Sequence, residues 1–258
     1  MQLYLAAAPD CLAQCLSLTP RLAHAAYRIA EDGTLLARAL PPELRGGLMM
    51  VQCDTPFPVN AAPELSRELL RTCRSRSFSG IVLDGISHAA PEVRALCREL
   101  GALSARYGRR LYVPPACAGD APEATVLICT ALSGGTLQQL LEEAADRFGA
   151  QRIALDLQRL RMEFPLPCPS GEGTPLTAQE LAQRRQGCSV YYCDGLCARY
   201  FTCRSGGETR FVLFDDADTL QRKMALAECL GISEGFFMWP EVADIAAELF
   251  DKKKEGEP

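Results

Sequence analysis

The chain has 258 residues, long for an ordinary domain but normal for one α/β barrel, and 48% hydrophobic residues can bury a large core. Its formal net charge of -5, with basic residues scattered among acidic ones, argues against a nucleic-acid partner, which calls for a basic patch, and against an anionic membrane surface. No run reaches the ~18 apolar residues of a membrane helix, so no membrane partner is expected.

The opening stretch MQLYLAAAPDCLAQCL lacks a basic segment and meets Asp10 early. It reads as a first strand and its loop, not an export signal, and predicts a cytoplasmic protein. AAYRIA is the second strand, followed by a turn at Glu31-Asp32-Gly33. GGLMMVQCD is the third. The helix PELSRELLRTCRSRS starts with Pro63 in its first turn. SGIVLDGI is the fourth strand, a continuous apolar run typical of a buried parallel strand. In the helix PEVRALCRELGALSARYG, Val93, Leu96, Leu100 and Leu103 share one face, and Gly108 suits its C-terminal end.

RRLYVPPAC and ATVLICTAL are strands five and six, and the amphipathic helix TLQQLLEEAADRFG closes at Gly149. RIALDLQ is strand seven. Residues 164 to 210 form a longer excursion rich in Pro, Gly and Cys. It ends in a hairpin, RYFTCRSGGETRFVLF, turning at Gly206-Gly207. DADTLQRKMALAECLG is a helix with Asp216 or Asp218 as N-cap. EGFFMWP is strand eight, VADIAAELF closes the barrel, and DKKKEGEP is a solvated tail. Strands alternating with helices predict a parallel sheet wrapped by helices. The expectation is a (β/α)₈ barrel over residues 1–250, an insertion between strands seven and eight, and a tail over 251–258.

Thirteen cysteines, an odd number with many inside apolar runs, predict reduced, buried thiols serving as small hydrophobes. Cys188, Cys193, Cys197 and Cys203 lack the two close pairs of a structural zinc site. Asp215, Asp216 and Asp218 suit a helix N-terminus without any cation. No metal and no cofactor are expected.

The fourth strand, Phe78 to Ile86, resembles glycoside hydrolase family 18, which includes chitinases and spore-cortex-lytic glucosaminidases. There the strand reads roughly Phe-Asp-Gly-Ile-Asp-Ile-Asp-Trp/Phe-Glu. Phe211 to Asp216 resembles the family's Val-Trp-Phe-Glu-Asp run, and the helix TLQRKMALAECLGI leads to GFFMWP as the family's last helix leads to its final strand. The resemblance spans nearly the whole chain and implies a barrel acting on N-acetylated glycans by substrate-assisted hydrolysis. The family's acid is a glutamate, and an aspartate two residues earlier orients the acetamido group.

Here Asp84 matches the orienting aspartate, but the acid position holds Ile86, which has no proton to give. The upstream aspartates fall on Ser79 and Val82. The family's Met-x-Tyr-Asp on strand six falls on Ile128-Cys129-Thr130-Ala131, and its strand-seven tyrosine is not evident. The next glutamate, Glu92, lies in the following helix. Trp239, the sole tryptophan, matches the family's sugar floor, and Glu163 with Phe164 falls near its Asp-Trp pair.

The expected cleft therefore comprises Asp84, Ile86, His88, Thr130, Glu163 and Trp239, with Asp84 the one catalytic candidate. Three of them also have a plain structural reading: Asp84 bonded to backbone or a basic side chain, His88 in a loop, Trp239 filling the barrel top. Strand alternation puts Asp84, Ile86 and His88 on one face and Ser87 on the other, which argues against a serine–histidine pair. The leading expectation is a non-hydrolytic barrel binding a glycan, or a protein partner, at its C-terminal mouth, in a spore-associated role. The alternatives are a glycosidase with relocated acid and base residues, and a scaffold without ligand.

Overall fold

The computed structural model describes residues 1–205 and 207–250. Gly206 and the 251–258 tail expected from the sequence lie outside these. The strands are β1 (Gln2–Ala7), β2 (Leu22–Ile29), β3 (Leu35–Ala37), β4 (Leu48–Gln52), β5 (Gly80–Asp84), β6 (Arg110–Val113), β7 (Thr125–Cys129), β8 (Ile153–Asp156), β9 (Arg161–Leu166), β10 (Thr174–Pro175), β11 (Tyr191–Cys193), β12 (Ala198–Ser205), β13 (Glu208–Phe214) and β14 (Glu234–Met238). The helices are α1 (Leu12–Leu18), α2 (Ala62–Ser75), α3 (Pro91–Arg106), α4 (Leu137–Phe148), α5 (Ala178–Arg185), α6 (Ala217–Cys229), α7 (Trp239–Val242) and α8 (Ala246–Phe250).

Eight strands pair in parallel in the order β1-β14-β8-β7-β6-β5-β4-β2, and β1 pairs back to β2. The sheet therefore closes into the expected (β/α)₈ barrel. All eight wall strands coincide with the strands read from the sequence. Two crossovers lack an α-helix. After β2 the chain turns at Asp32-Gly33 and returns antiparallel as β3. Between β6 and β7 there is only a short turn at Pro115–Cys117.

Alternation along the wall sorts side chains into two layers. Inside the barrel sit Tyr4, Leu48, Met50, Val82, Tyr112 and Phe236. Phe236 stacks on Tyr4 at 5.1 Å and meets Tyr112 edge-on at 5.1 Å. Below them Arg110 pairs with Glu234 and Tyr4, and the Tyr112 hydroxyl donates to Glu234 at 2.8 Å. Arg110 and Glu234 begin β6 and β14, so this network sits toward the lower end of the barrel, opposite the mouth. The outer layer packs wall against helices. It buries Val93, Leu96 and Leu100 of α3 as expected, whereas Leu103 is half-buried.

The insertion is larger than the expected hairpin. β12 and β13 form that hairpin, but β9, β10 and β11 join them in a five-stranded antiparallel sheet. α5 covers one face over Phe201, Val212 and Phe214, and the other face has its own cluster of Leu160, Leu196 and Leu213. Asp216 caps α6, its side chain accepting from the Thr219 backbone N–H in a reciprocal capping box.

The thirteen thiols are all free. Cys15, Cys53, Cys73, Cys97 and Cys117 are buried in the outer core, but Cys129 and Cys229 are exposed. Filling the core thus accounts for only some of them. Among the described residues no helix is long and apolar enough to cross a membrane, and no group of three or more His, Cys, Asp or Glu is arranged to hold a metal ion.

Candidate functional site

Two wall strands end in an aspartate at the mouth. Val82 and Ala154 point inward, so Asp84 and Asp156, two residues on, do so as well. Glu241 joins them from the first turn of α7. The three acids rim a cavity of about 190 Å³ whose apolar floor includes Met50, Val82, Phe236 and Met238. Gln158 completes the rim and donates to Asp156 Oδ2 at 2.9 Å. A larger hollow of about 740 Å³ lies on the outer wall between α2 and α3. Its arginines are exposed to solvent, and it has no connection to the mouth acids.

Burial among like charges raises all three carboxyls. For Asp156, desolvation comes first and the charges of Asp84 and Glu241 follow, pushing it up to about 7. Asp84 is raised by burial and by Asp54, against the pull of a Gly85 backbone N–H. Glu241 is raised by burial. The Arg159 backbone N–H, 2.9 Å away, and the Arg161 charge oppose that shift.

A second hollow of about 360 Å³ continues from the mouth toward the insertion and shares Gln158 and Glu241 with the first. Phe164 and Met162 of β9 wall it. Gly173 lies so close to the Phe164 ring that a Cβ there would meet it at 2.6 Å. Arg161 also lines this groove and forms no ion pair among the described residues. Arg159 is engaged by Asp244 and by the carbonyls of Glu241 (3.0 Å) and Asp215 (3.2 Å). The mouth cavity alone is below the roughly 300–1,000 Å³ of typical ligand sites. With the groove it enters that range.

Of the six residues expected in the cleft, only Asp84 lines it. Gly85 takes φ +75° and ends the strand, so alternation stops there. Ile86 turns out and packs on the outer core. His88 is exposed, and its Nδ1 lies 3.1 Å from Ser87 Oγ. The expected divergence of those two side chains is thus corrected, although the pair sits on an exposed loop and lines neither the mouth cavity nor the hollow beside it. Thr130 is fully buried, its hydroxyl 3.4 Å from the Asp156 carbonyl. Glu163 faces α5 and is held by Arg184 at 2.8 Å. Alternation in β9 sends Phe164, not Glu163, into the groove. Trp239 follows the inward-facing Met238 and packs with the outer core, so it forms no floor.

The sequence reading missed Asp156 and Glu241. Asp156 carried a usable signal, since a carboxylate at the C-terminal end of a barrel strand is where this fold places its chemistry. Glu241 carried none, because its position depends on where α7 docks.

No protein-family model matches the chain, and no curated protein matches it by sequence. Its fold is that of chitinases and spore cortex-lytic enzymes. The Bacillus cereus spore cortex-lytic enzyme SleL aligns with a TM-score of 0.68 at 18% identity, over 99% of this chain and 75% of that one. The Bacillus megaterium SleL aligns with a TM-score of 0.65 at 17% identity, over 96% and 74%. The chitinase from Chromobacterium violaceum aligns with a TM-score of 0.68 at 15% identity, over 97% and 99%.

Proposed function

We propose that the mouth of this barrel takes an N-acetylglucosamine-containing glycan of the chitin or peptidoglycan type, and that family 18's own hydrolytic route is closed to it. The observation that carries this reading is the acid-rimmed cavity and its adjoining groove at the C-terminal end of the barrel, where this fold binds its ligands. The likeness to chitinases and cortex-lytic enzymes over nearly the whole chain supports the choice of ligand. The chemistry suits a sugar: carboxylates accept from hydroxyls, and Met238 and Phe236 offer an apolar floor to ring C–H groups. The family's acid position holds Ile86, which packs away from the mouth. Because two of the neighbours are spore cortex-lytic enzymes, a spore-associated role is part of the proposal and muropeptides are the first ligands to try.

Trp239 opens α7, two residues before Glu241, and is the sole tryptophan, so its fluorescence reports on the rim. Chitin oligomers and muropeptide fragments are titrated against the protein by fluorescence and calorimetry together. Saturable binding is expected. Glu241→Gln should weaken it about tenfold or more, as loss of a charged hydrogen-bond acceptor does. Heat and fluorescence that stay flat with both glycans would remove this reading in favour of a protein partner or a scaffold.

A further inference from the structure

We propose that Asp156 is the proton donor for hydrolysis of a glycosidic bond at this mouth, in place of the acid missing at position 86, with Asp84 as the accepting carboxylate. The proposal rests on the glycan reading above and adds turnover to it.

A general acid must reach the ligand, hold a proton at working pH, and work opposite a carboxylate that can accept one. Asp156 ends β8 and lines the cavity. Asp84 ends β5, three strands around the wall, and lines the same cavity. A sugar seated there lies between them. The groups facing Asp156 are Asp84 from β5, Glu241 from α7, Cys129 from β7 and its own strand's neighbour Gln158. None is a cation. Arg159 and Arg161 act on Glu241, and Asp54 acts on Asp84. Lys223 is held by Asp215 and the Thr130 carbonyl. This environment keeps Asp156 largely protonated below about 7; burial and Asp54 raise Asp84 as well, and the Gly85 N–H draws it back toward the charged form.

The Asp156 proton passes to the glycosidic oxygen as the bond from that oxygen to the anomeric carbon breaks. Water adds through its oxygen to that carbon, and its proton passes to Asp84. One water is consumed, and each of the two products carries one new hydroxyl group. The carboxyls return to their starting states by exchange with solvent.

The test compares two substrates. Chitin oligomers and muropeptide fragments have poor leaving groups that need protonation, whereas a dinitrophenyl chitobioside leaves without it. The wild type should hydrolyse both. Its rate on oligomers should fall as pH rises through about 7, with no such fall on the dinitrophenyl substrate. Asp156→Asn should lose about 10²–10⁴-fold on oligomers and only a few-fold on the dinitrophenyl substrate. Asp84→Asn should slow both. The pH profile needs no variant to fold. Equal losses on both substrates in Asp156→Asn would overturn the assignment. Binding without product release from the wild type would also overturn it, leaving the glycan reading intact. Absence of binding would remove both.

Discussion

Asp156 links the stability of the fold to pH. The aspartate titrates near 3.8 when unfolded and near 7 in place. Between those values the folded chain keeps a proton that the unfolded chain has lost, so stability is full below about 4 and falls as pH rises through 7. This is the reverse of an ordinary paired carboxylate, because burial beside Asp84 and Glu241 favours the acid form. Asp156→Asn removes the titration while keeping the shape. It should raise the melting temperature at pH 8, by an amount corresponding to a few kcal/mol, and change it little at pH 4. Equal shifts at both pH values, followed by calorimetry, would show that the site does not bury its charge this way. Gly85 acts at the same scale. Its φ of +75° ends β5 and sends Ile86 outward. Gly85→Ala would place a Cβ 3.3 Å from the Asp54 side chain in a conformation that L residues disfavour. A loss of roughly 1 kcal/mol is expected, read from urea unfolding midpoints. The resemblance in this strand could name Asp84 but not the side to which Ile86 turns, because one glycine backbone angle decides it.

At the scale of elements, a fully buried ion pair fixes where the insertion meets the barrel. Lys223 of α6 donates to Asp215 at 2.8 Å, and both side chains are fully buried. Lys223 also donates to the Thr130 carbonyl beyond β7 at 3.0 Å. Asp215 in turn accepts from the Leu160 backbone N–H at 3.0 Å and from the Thr219 hydroxyl at 2.9 Å. α6 and the Leu160 backbone thus converge on one carboxylate, and Lys223 ties it to a third segment at Thr130. Lys223→Met would leave that carboxylate buried and unpaired, and should cost about 3–5 kcal/mol at pH 7. Lys223→Met combined with Asp215→Leu should recover part of the loss, since a matched apolar pair removes the stranded charge. Urea unfolding of both variants measures this, and a double variant no better than the single one would contradict it. The wall strands were legible because each is a short continuous apolar run between turn signals. The insertion sheet was not. Pro165, Pro167 and Pro175 lie in or beside β9 and β10 and mask strand patterning, although Pro165 stands opposite Arg210 in the β9–β13 pairing. α1 was missed because it is only seven residues long.

For the whole molecule, closure of the wall decides whether there is a mouth at all. β1 is the seam, bonded on one side to β14 and on the other to β2. β14 brings Phe236, which two tyrosine rings contact, and Glu234, which anchors Arg110 and Tyr112 at the lower end. Carboxylates from three separate elements meet at the rim only because the ring is complete. A chain ending at residue 233 would expose the edges of β1 and β8, empty the centre of the inner layer and strand the Arg110 guanidinium. The insertion keeps its own two clusters, so secondary structure should persist in such a chain while the barrel opens. The expected outcome is near-native far-ultraviolet dichroism from the remaining elements, a broad thermal transition in place of a cooperative one, and binding of a hydrophobic dye such as ANS to the exposed inner face. A sharp melt with no dye binding would mean that seven strands hold the inner layer without β14. The Asp84–Asp156 arrangement would then have to be tested as a property of an open sheet, not of a closed ring.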